Sequence, residues 1–217
     1  MIELLSEHGN EILRGLLATI MIVSCGFFAG ALLGIALSSL LVSSRKALRW
    51  PARTFVELIR NTPFLIQAML LFALFGILRL RIDPLLLGGA AVAIYTSAYM
   101  AEIVRGALKS VAPGQRDAAR ALGLSPLQGF RLIVFPQLLP AIIPASANLL
   151  GTVAKESAFL SAVSVAELTF AGQVVIAQTF KVFEVWAIVG ILYLAIVLSI
   201  LAAAGHFERR LQWSARN

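Results

Sequence analysis

Residues 114–136 read GQRDAARALGLSPLQGFRLIVFP, a polar, punctuated segment set between two long apolar runs. Ala118, Ala119 and Ala121 are strong helix formers, and Arg116, Asp117 and Arg120 keep one side of that helix wet. Gly123 ends the helix cheaply, because glycine tolerates the left-handed cap position. Ser125 then reads as an N-cap, with Pro126 at the first position of a second short helix. The segment therefore predicts a compact helix-turn-helix knob on a membrane surface. Its small alanines would let a partner approach closely. The plainer alternative, an amphipathic connector between spans, uses the same residues.

The rest of the chain makes the membrane explicit. Of 217 residues, 59% are hydrophobic and 13% charged, against about 25% charged in soluble domains. Mean hydropathy is +0.90. Five uncharged runs approach the roughly 20 residues that cross a bilayer core: 15–42, 61–78, 85–101 (extending toward 104), 132–154 and 185–205. The first, at 28 residues, is too long for the apolar part of a cleaved signal peptide, which spans about 7–15 residues. A lone Cys25 allows no intrachain disulfide. His8 and His206 lack partners at ligand spacing, so no metal site is expected.

The net charge of +7 is a matter of topology. With the N-terminus outside, the inner segments carry 13 of the 18 basic residues and four of the 11 acids. The positive-inside rule then puts the 106–131 loop and the C-terminus in the cytoplasm. Residues 156–184 contain two short uncharged stretches split by Glu167. A re-entrant or interfacial pair of short helices is expected there, because a sixth span would carry the basic tail outside. Gly26, Gly30, Gly34 and Ser38 form a stripe at four-residue spacing, read as a close helix contact. Pro136, Pro140 and Pro144 predict kinking of the fourth span.

The order Asp117-Ala118-Ala119, three residues, Gly123, nine residues, Ile133, one residue, Phe135-Pro136 resembles the EAA loop of ABC importer permeases. Asp117 stands for Glu and Phe135 for Leu. Further segments are similar to the polar amino-acid permeases within that family. They are Glu57-Leu-Ile-Arg60-Asn61-Thr62-Pro63, Ala98-Tyr99-Met-Ala101-Glu102, Lys155-Glu156-Ser157 and the tail Phe207-Glu208-Arg209-Arg210-Leu211. The resemblance covers about residues 11–212. It implies an all-α integral membrane fold, the single transmembrane domain (1–217) of a type I ABC importer with five helices. It also implies a multi-pass place in a bacterial inner membrane. The implied partners are two ABC ATPase subunits, a second permease copy or homologue, and an external amino-acid-binding protein. No nucleic acid is implied. No G-x-x-x-x-G-K-[ST] phosphate loop occurs in the chain, so it is not expected to be an enzyme. ATP and Mg would be bound by the partner ATPases, and no cofactor by this chain.

The resemblance makes Gly114, Gln115, Asp117, Ala118, Ala119 and Gly123 the ATPase-coupling candidates. Lys155, Glu156 and Ser157 follow the fourth span directly. Ionisable groups near membrane depth line a pathway or mark where a span ends, and both readings stand. Gln67 contacts substrate or bonds a neighbouring helix. Tyr95, Thr96 and Tyr99 are spaced to share a face and are equally open. Glu57 with Arg60, and Glu102 with Arg105, are three apart and read as ion pairs.

Overall fold

A computed structural model describes residues 2–214, the side chains of residues 2, 3, 5, 116 and 207–214 excepted. The tail motif at 207–211 thus lies outside the described side chains. The described residues form α1 (Ile2–Leu41), α2 (Lys46–Arg60), α3 (Phe64–Ile77) and α4 (Pro84–Ser110). They continue as α5 (Pro113–Ala121), α6 (Pro126–Gly129), α7 (Phe135–Glu156), α8 (Leu168–Thr179) and α9 (Val182–Ser214). A π-helical turn (Phe130–Val134) leads into α7, and a 3-10 helix (Ser157–Val163) follows it.

The glycine stripe is the seam on which the bundle is built. A Cβ added at Gly26 would sit 2.6 Å from Val92 Cγ1, and one at Gly34 2.6 Å from Met100 Cβ. At Gly30 it would meet the Ala93 carbonyl oxygen at 2.5 Å. α1 and α4 therefore pack backbone to backbone. In lipid this close van der Waals contact substitutes for the missing hydrophobic drive between helices. On the other side of α4, Phe64 of α3 stacks edge-on against Tyr95, with ring centroids 5.3 Å apart. Val153 of α7 and Leu160 of the 3-10 helix complete the same buried cluster.

Among the described residues, four segments are long and apolar enough to cross a membrane: 6–41, 84–110, 126–163 and 182–206. By length and composition a fifth candidate appears only when α2 and α3 are counted together, and these are bent by 111° at their junction. The 61–78 run is a turn at 61–63 followed by one helix, α3. Its helix α3 has 14 residues, about 21 Å of rise against a core of about 30 Å. Pro63 causes the break, since it cannot donate a helix bond and biases Thr62 away from helical geometry. Asn61 and Thr62 turn back to the carbonyls of Glu57 (2.7 Å) and Leu58 (2.9 Å) at the end of α2.

Pro136 stands in the first turn of α7, and the helix runs on through Pro140 and Pro144. Pro136 has no N–H, and just before it the ladder widens, with Phe135 N–H donating to the Phe130 carbonyl. Residues 157–180 fold as two short helices, separated by Ser164 in the left-handed region. The α8 helix starts on Glu167, whose buried carboxylate accepts from the Thr169 and Phe170 N–H groups at 2.9 Å each. Tyr193 Oη of α9 donates to it at 2.6 Å, and Thr19 Oγ1 of α1 at 3.4 Å. Thr19 Oγ1 also accepts from Leu168 N–H at 3.0 Å. The knot thus ties α1, α8 and α9 together. Glu167 lies outside the four candidate crossings. Burial raises its carboxyl above the ordinary range, while the hydrogen bonds from Tyr193, Thr169 and Phe170 act in the opposite direction.

Candidate coupling surface and substrate pathway

The 114–136 segment folds as the predicted knob. Pro113 opens α5, and Gly123 takes φ +69. Two bonds close the helix end: Gly123 N–H to the Arg120 carbonyl (2.9 Å) and Leu124 N–H to the Ala119 carbonyl (3.1 Å). This is the Schellman pattern that a left-handed glycine permits. Ser125 then starts α6 with a reciprocal capping box. Its hydroxyl accepts from Gln128 N–H (3.4 Å), and Gln128 Oε1 accepts from Ser125 N–H (2.9 Å). Gln137 Nε2 of α7 reaches Gln115 Oε1 at 3.3 Å, anchoring the first turn of α5 to the bundle.

Gly114, Gln115, Asp117, Ala118 and Gly123 are exposed on this knob. Ala119 is not: it is 6% exposed, and Gly129 of α6 closes over its methyl. Its small side chain serves the contact between α5 and α6, not a partner's approach. Leu122 and Leu127, 73% and 75% exposed, project from the tip of the knob. The sequence reading passed over both, although large apolar residues inside a polar turn are the available signal. Arg120 and Asp117 pair across the exposed face at 3.5 Å.

The pathway candidates do not form one set. Tyr95 and Tyr99 are neighbours, their ring centroids 4.6 Å apart, and the Arg60 guanidinium lies 5.5 Å from the Tyr99 centroid. Thr96 does not share their face. It is fully buried under Gly30 of α1, because a residue one step along a helix is turned by about 100°. Ser157 is also fully buried, its hydroxyl bonded to the Ala154 carbonyl at 2.8 Å. Neither residue is open to a pathway here. Gln67 caps α2, donating to the carbonyls of Ile59 (2.7 Å) and Thr62 (2.9 Å), which is the helix-bonding alternative. Lys155 is exposed and Glu156 half-buried at the end of α7.

The expected Glu57–Arg60 pair does not form. Glu57 takes Arg53 at 2.7 Å, one turn back, and Arg60 reaches across to Glu102 of α4 at 3.5 Å. The Glu102–Arg105 pair forms as a two-pronged contact at 2.9 and 2.6 Å. Glu102 is thus a shared acceptor that ties α2 to α4. A double-mutant cycle is expected to give a coupling of about 1 kcal/mol between Glu102 and Arg105, and less than half of that between Glu102 and Arg60. Thermal unfolding of the single and double glutamine or methionine variants would measure both. Equal couplings would contradict the geometry.

An all-helical bundle that presents a capped helical knob between two spans has clear relatives. The family described as "Binding-protein-dependent transport system inner membrane component" matches residues 12–213. The glutamine transport system permease protein GlnP of Escherichia coli is 37% identical over 163 residues, 74% of each chain. The arginine transport system permease protein ArtQ of Bacillus subtilis is 31% identical over 202 residues, 93% of this chain and 92% of that one. A solved amino acid ABC transporter, crystallised with histidines, superposes with a TM-score of 0.88 at 31% identity. The match covers 95% of this chain and 96% of that one. The MetNI methionine ABC transporter, at 22% identity and a TM-score of 0.79, shares the fold. Together, the knob, the bundle around it and these matches make the chain a member of the binding-protein-dependent transport system inner membrane components, the permeases of ABC importers.

Proposed function

We propose that the chain carries a polar amino acid inward across a bacterial inner membrane, as one half of a permease dimer driven by two separate ATPase subunits. Its N-terminus faces outward, its C-terminus lies in the cytoplasm, and the 61–78 segment, through α3, supplies the fifth crossing. The 106–131 loop is the lever. Its exposed residues Gly114, Gln115, Asp117, Ala118 and Gly123 meet an ATPase cleft, and closure of the ATPases on ATP rocks the spans between outward and inward openings. An external binding protein delivers the substrate. ATP and Mg are held by the ATPases, and this chain performs no chemistry of its own.

The observation that carries this reading is the double-capped knob. The glycine cap and the capping box commit the N–H groups of Gly123, Leu124, Ser125 and Gln128. Leu122 and Leu127 at the tip of the knob stay largely exposed. Along the pathway, Tyr99, Lys155 and Glu156 remain as the contacts offered to a zwitterionic substrate, with Tyr95, 6% exposed, packed behind Tyr99.

Proteoliposome uptake tests the proposal. The permease with its ATPase and binding protein is expected to accumulate a labelled polar amino acid only with ATP inside the ATPase compartment. Uptake by the permease alone, driven by an ion gradient without ATP, would replace this reading with that of a secondary transporter.

A further inference from the structure

A cavity of about 1030 Å³ opens between α2, α4 and α5, on the same side as the coupling knob. Six cations line it: Arg49, Arg53, Arg60, Arg105, Lys109 and Arg120. Three acids face them, Glu57, Glu102 and Asp117, so the lining carries three positive charges in excess. The acids are already engaged with Arg53, Arg60, Arg105 and Arg120. Arg49 and Lys109 take no acid within ion-pair distance among the described residues. Arg49 donates only a long bond, 3.4 Å, to the Ser43 carbonyl. The walls are not polar throughout, because Leu41, Val42 and Leu108 border the same space.

The setting of α2 fixes the depth of this cavity. The helix buries Ala52 and Val56 against Leu41, Ala98 and Ala101. Its charges recur at Arg49, Arg53, Glu57 and Arg60, three or four residues apart on one stripe. Outside that stripe, Trp50 is 72% exposed, Leu58 61% and Leu48 45%. α2 also turns by 111° from the apolar helix α3, so if α3 stands in the bilayer, α2 runs along its surface. A helix with a basic stripe and an exposed tryptophan-leucine flank lies at the headgroup boundary. Basic pockets between membrane helices at that depth suit anionic lipid headgroups.

We propose that this cavity holds an anionic phospholipid. Its phosphate sits with Arg49 and Lys109, and its glycerol and upper chain lie against Val42 and Leu108. A free phosphate would use the cations and leave the apolar wall idle. The lipid uses both. The cavity borders the knob at Asp117 and Arg120, but Arg49, Lys109, Val42 and Leu108, which hold the lipid, are neither coupling nor pathway candidates.

The test uses the intact complex with its ATPase subunits, delipidated in mild detergent. It is then offered phosphatidylglycerol, phosphatidylcholine or inorganic phosphate, with retention read by native mass spectrometry. The parent is expected to retain phosphatidylglycerol over phosphatidylcholine. The double variant Arg49→Gln/Lys109→Gln should bind phosphatidylglycerol roughly 30-fold more weakly, as the loss of two surface cations implies. The charge-keeping variant Arg49→Lys/Lys109→Arg should bind like the parent, which separates lost charge from a damaged fold. ATP hydrolysis in vesicles of equal phosphatidylcholine and phosphatidylglycerol should exceed that in phosphatidylcholine alone, and the glutamine variant should lose the difference. Unchanged retention in the glutamine variant would overturn the proposal. So would displacement of the lipid by inorganic phosphate, which would mark a free-anion site. Loss of the ATPase subunit from the glutamine variant alone would assign the cations to that partner and equally refute the lipid.

Discussion

Gly123→Pro is expected to abolish assembly with the ATPase subunits and, with it, transport. Gly123 holds φ at +69, whereas proline fixes φ near −65°. Proline also deletes the N–H that donates to the Arg120 carbonyl at 2.9 Å. The combined cost of about 3 kcal/mol or more leaves the closed knob roughly 100-fold less populated. Gly123→Ala keeps the N–H and meets no neighbour, since nothing lies within 4 Å of its would-be Cβ. Its penalty is the left-handed backbone alone, about 1 kcal/mol, which is roughly a fivefold loss. Co-purification of the ATPase, set against thermal stability of the permease, reads the series. The site is at the surface, so the bundle should melt normally in both variants. A proline variant that retains its ATPase at the parental ratio would show that the knob is not the coupling contact.

Gly30→Leu is expected to be the most damaging single change within the bundle. Even a bare Cβ there would meet the Ala93 carbonyl oxygen at 2.5 Å, Thr96 Cβ at 2.6 Å and Ala93 Cα at 3.0 Å. Two of these are backbone atoms of α4, so relief requires moving the helices apart. Overpacking of a well-packed site costs about 1–3 kcal/mol, and the leucine belongs at or above the upper end. For a chain of this size that is a fall in melting temperature of roughly 10 °C. Separation of α1 from α4 would also expose the buried Thr96 hydroxyl, which has no hydrogen-bond partner. Gly9→Ala is the matched control in the same helix. Its Cβ meets nothing within 4 Å, and alanine is the better helix former. Equal melting temperatures for Gly30→Leu and Gly9→Ala would refute the close contact of α1 with α4.

Much of the coupling knob was legible in the sequence because its determinants are local. Gly123, Ser125 and Pro126 act within a few residues of themselves through φ preference and capping, and tertiary contacts are not needed to place them; the Gln128 half of the capping box is equally local but was not read. The glycine stripe was legible for a related reason, since its four-residue period is set by the helix itself. The pathway was less legible. Tyr95 and Thr96 are adjacent in sequence, yet one faces α3 and the other is sealed beneath α1. Only the arrangement of neighbouring helices distinguishes them.

By itself the sequence determined the apolar runs, the polar loop with its two caps, the glycine seam and the two short helices after the fourth run. Each follows from the chemistry of residues close together along the chain. The tertiary structure decided which groups meet across the chain. Glu102 recruits Arg60 from α2, and Ala119 turns inward onto α6. Pro63 sets α3 at 111° to α2, and Glu167 gathers Thr19 from 148 residues away. A carboxylate or a methyl has no local preference among such partners. Their choice is fixed only when the packed helices leave one geometry in which buried polar groups are satisfied and the backbones still touch.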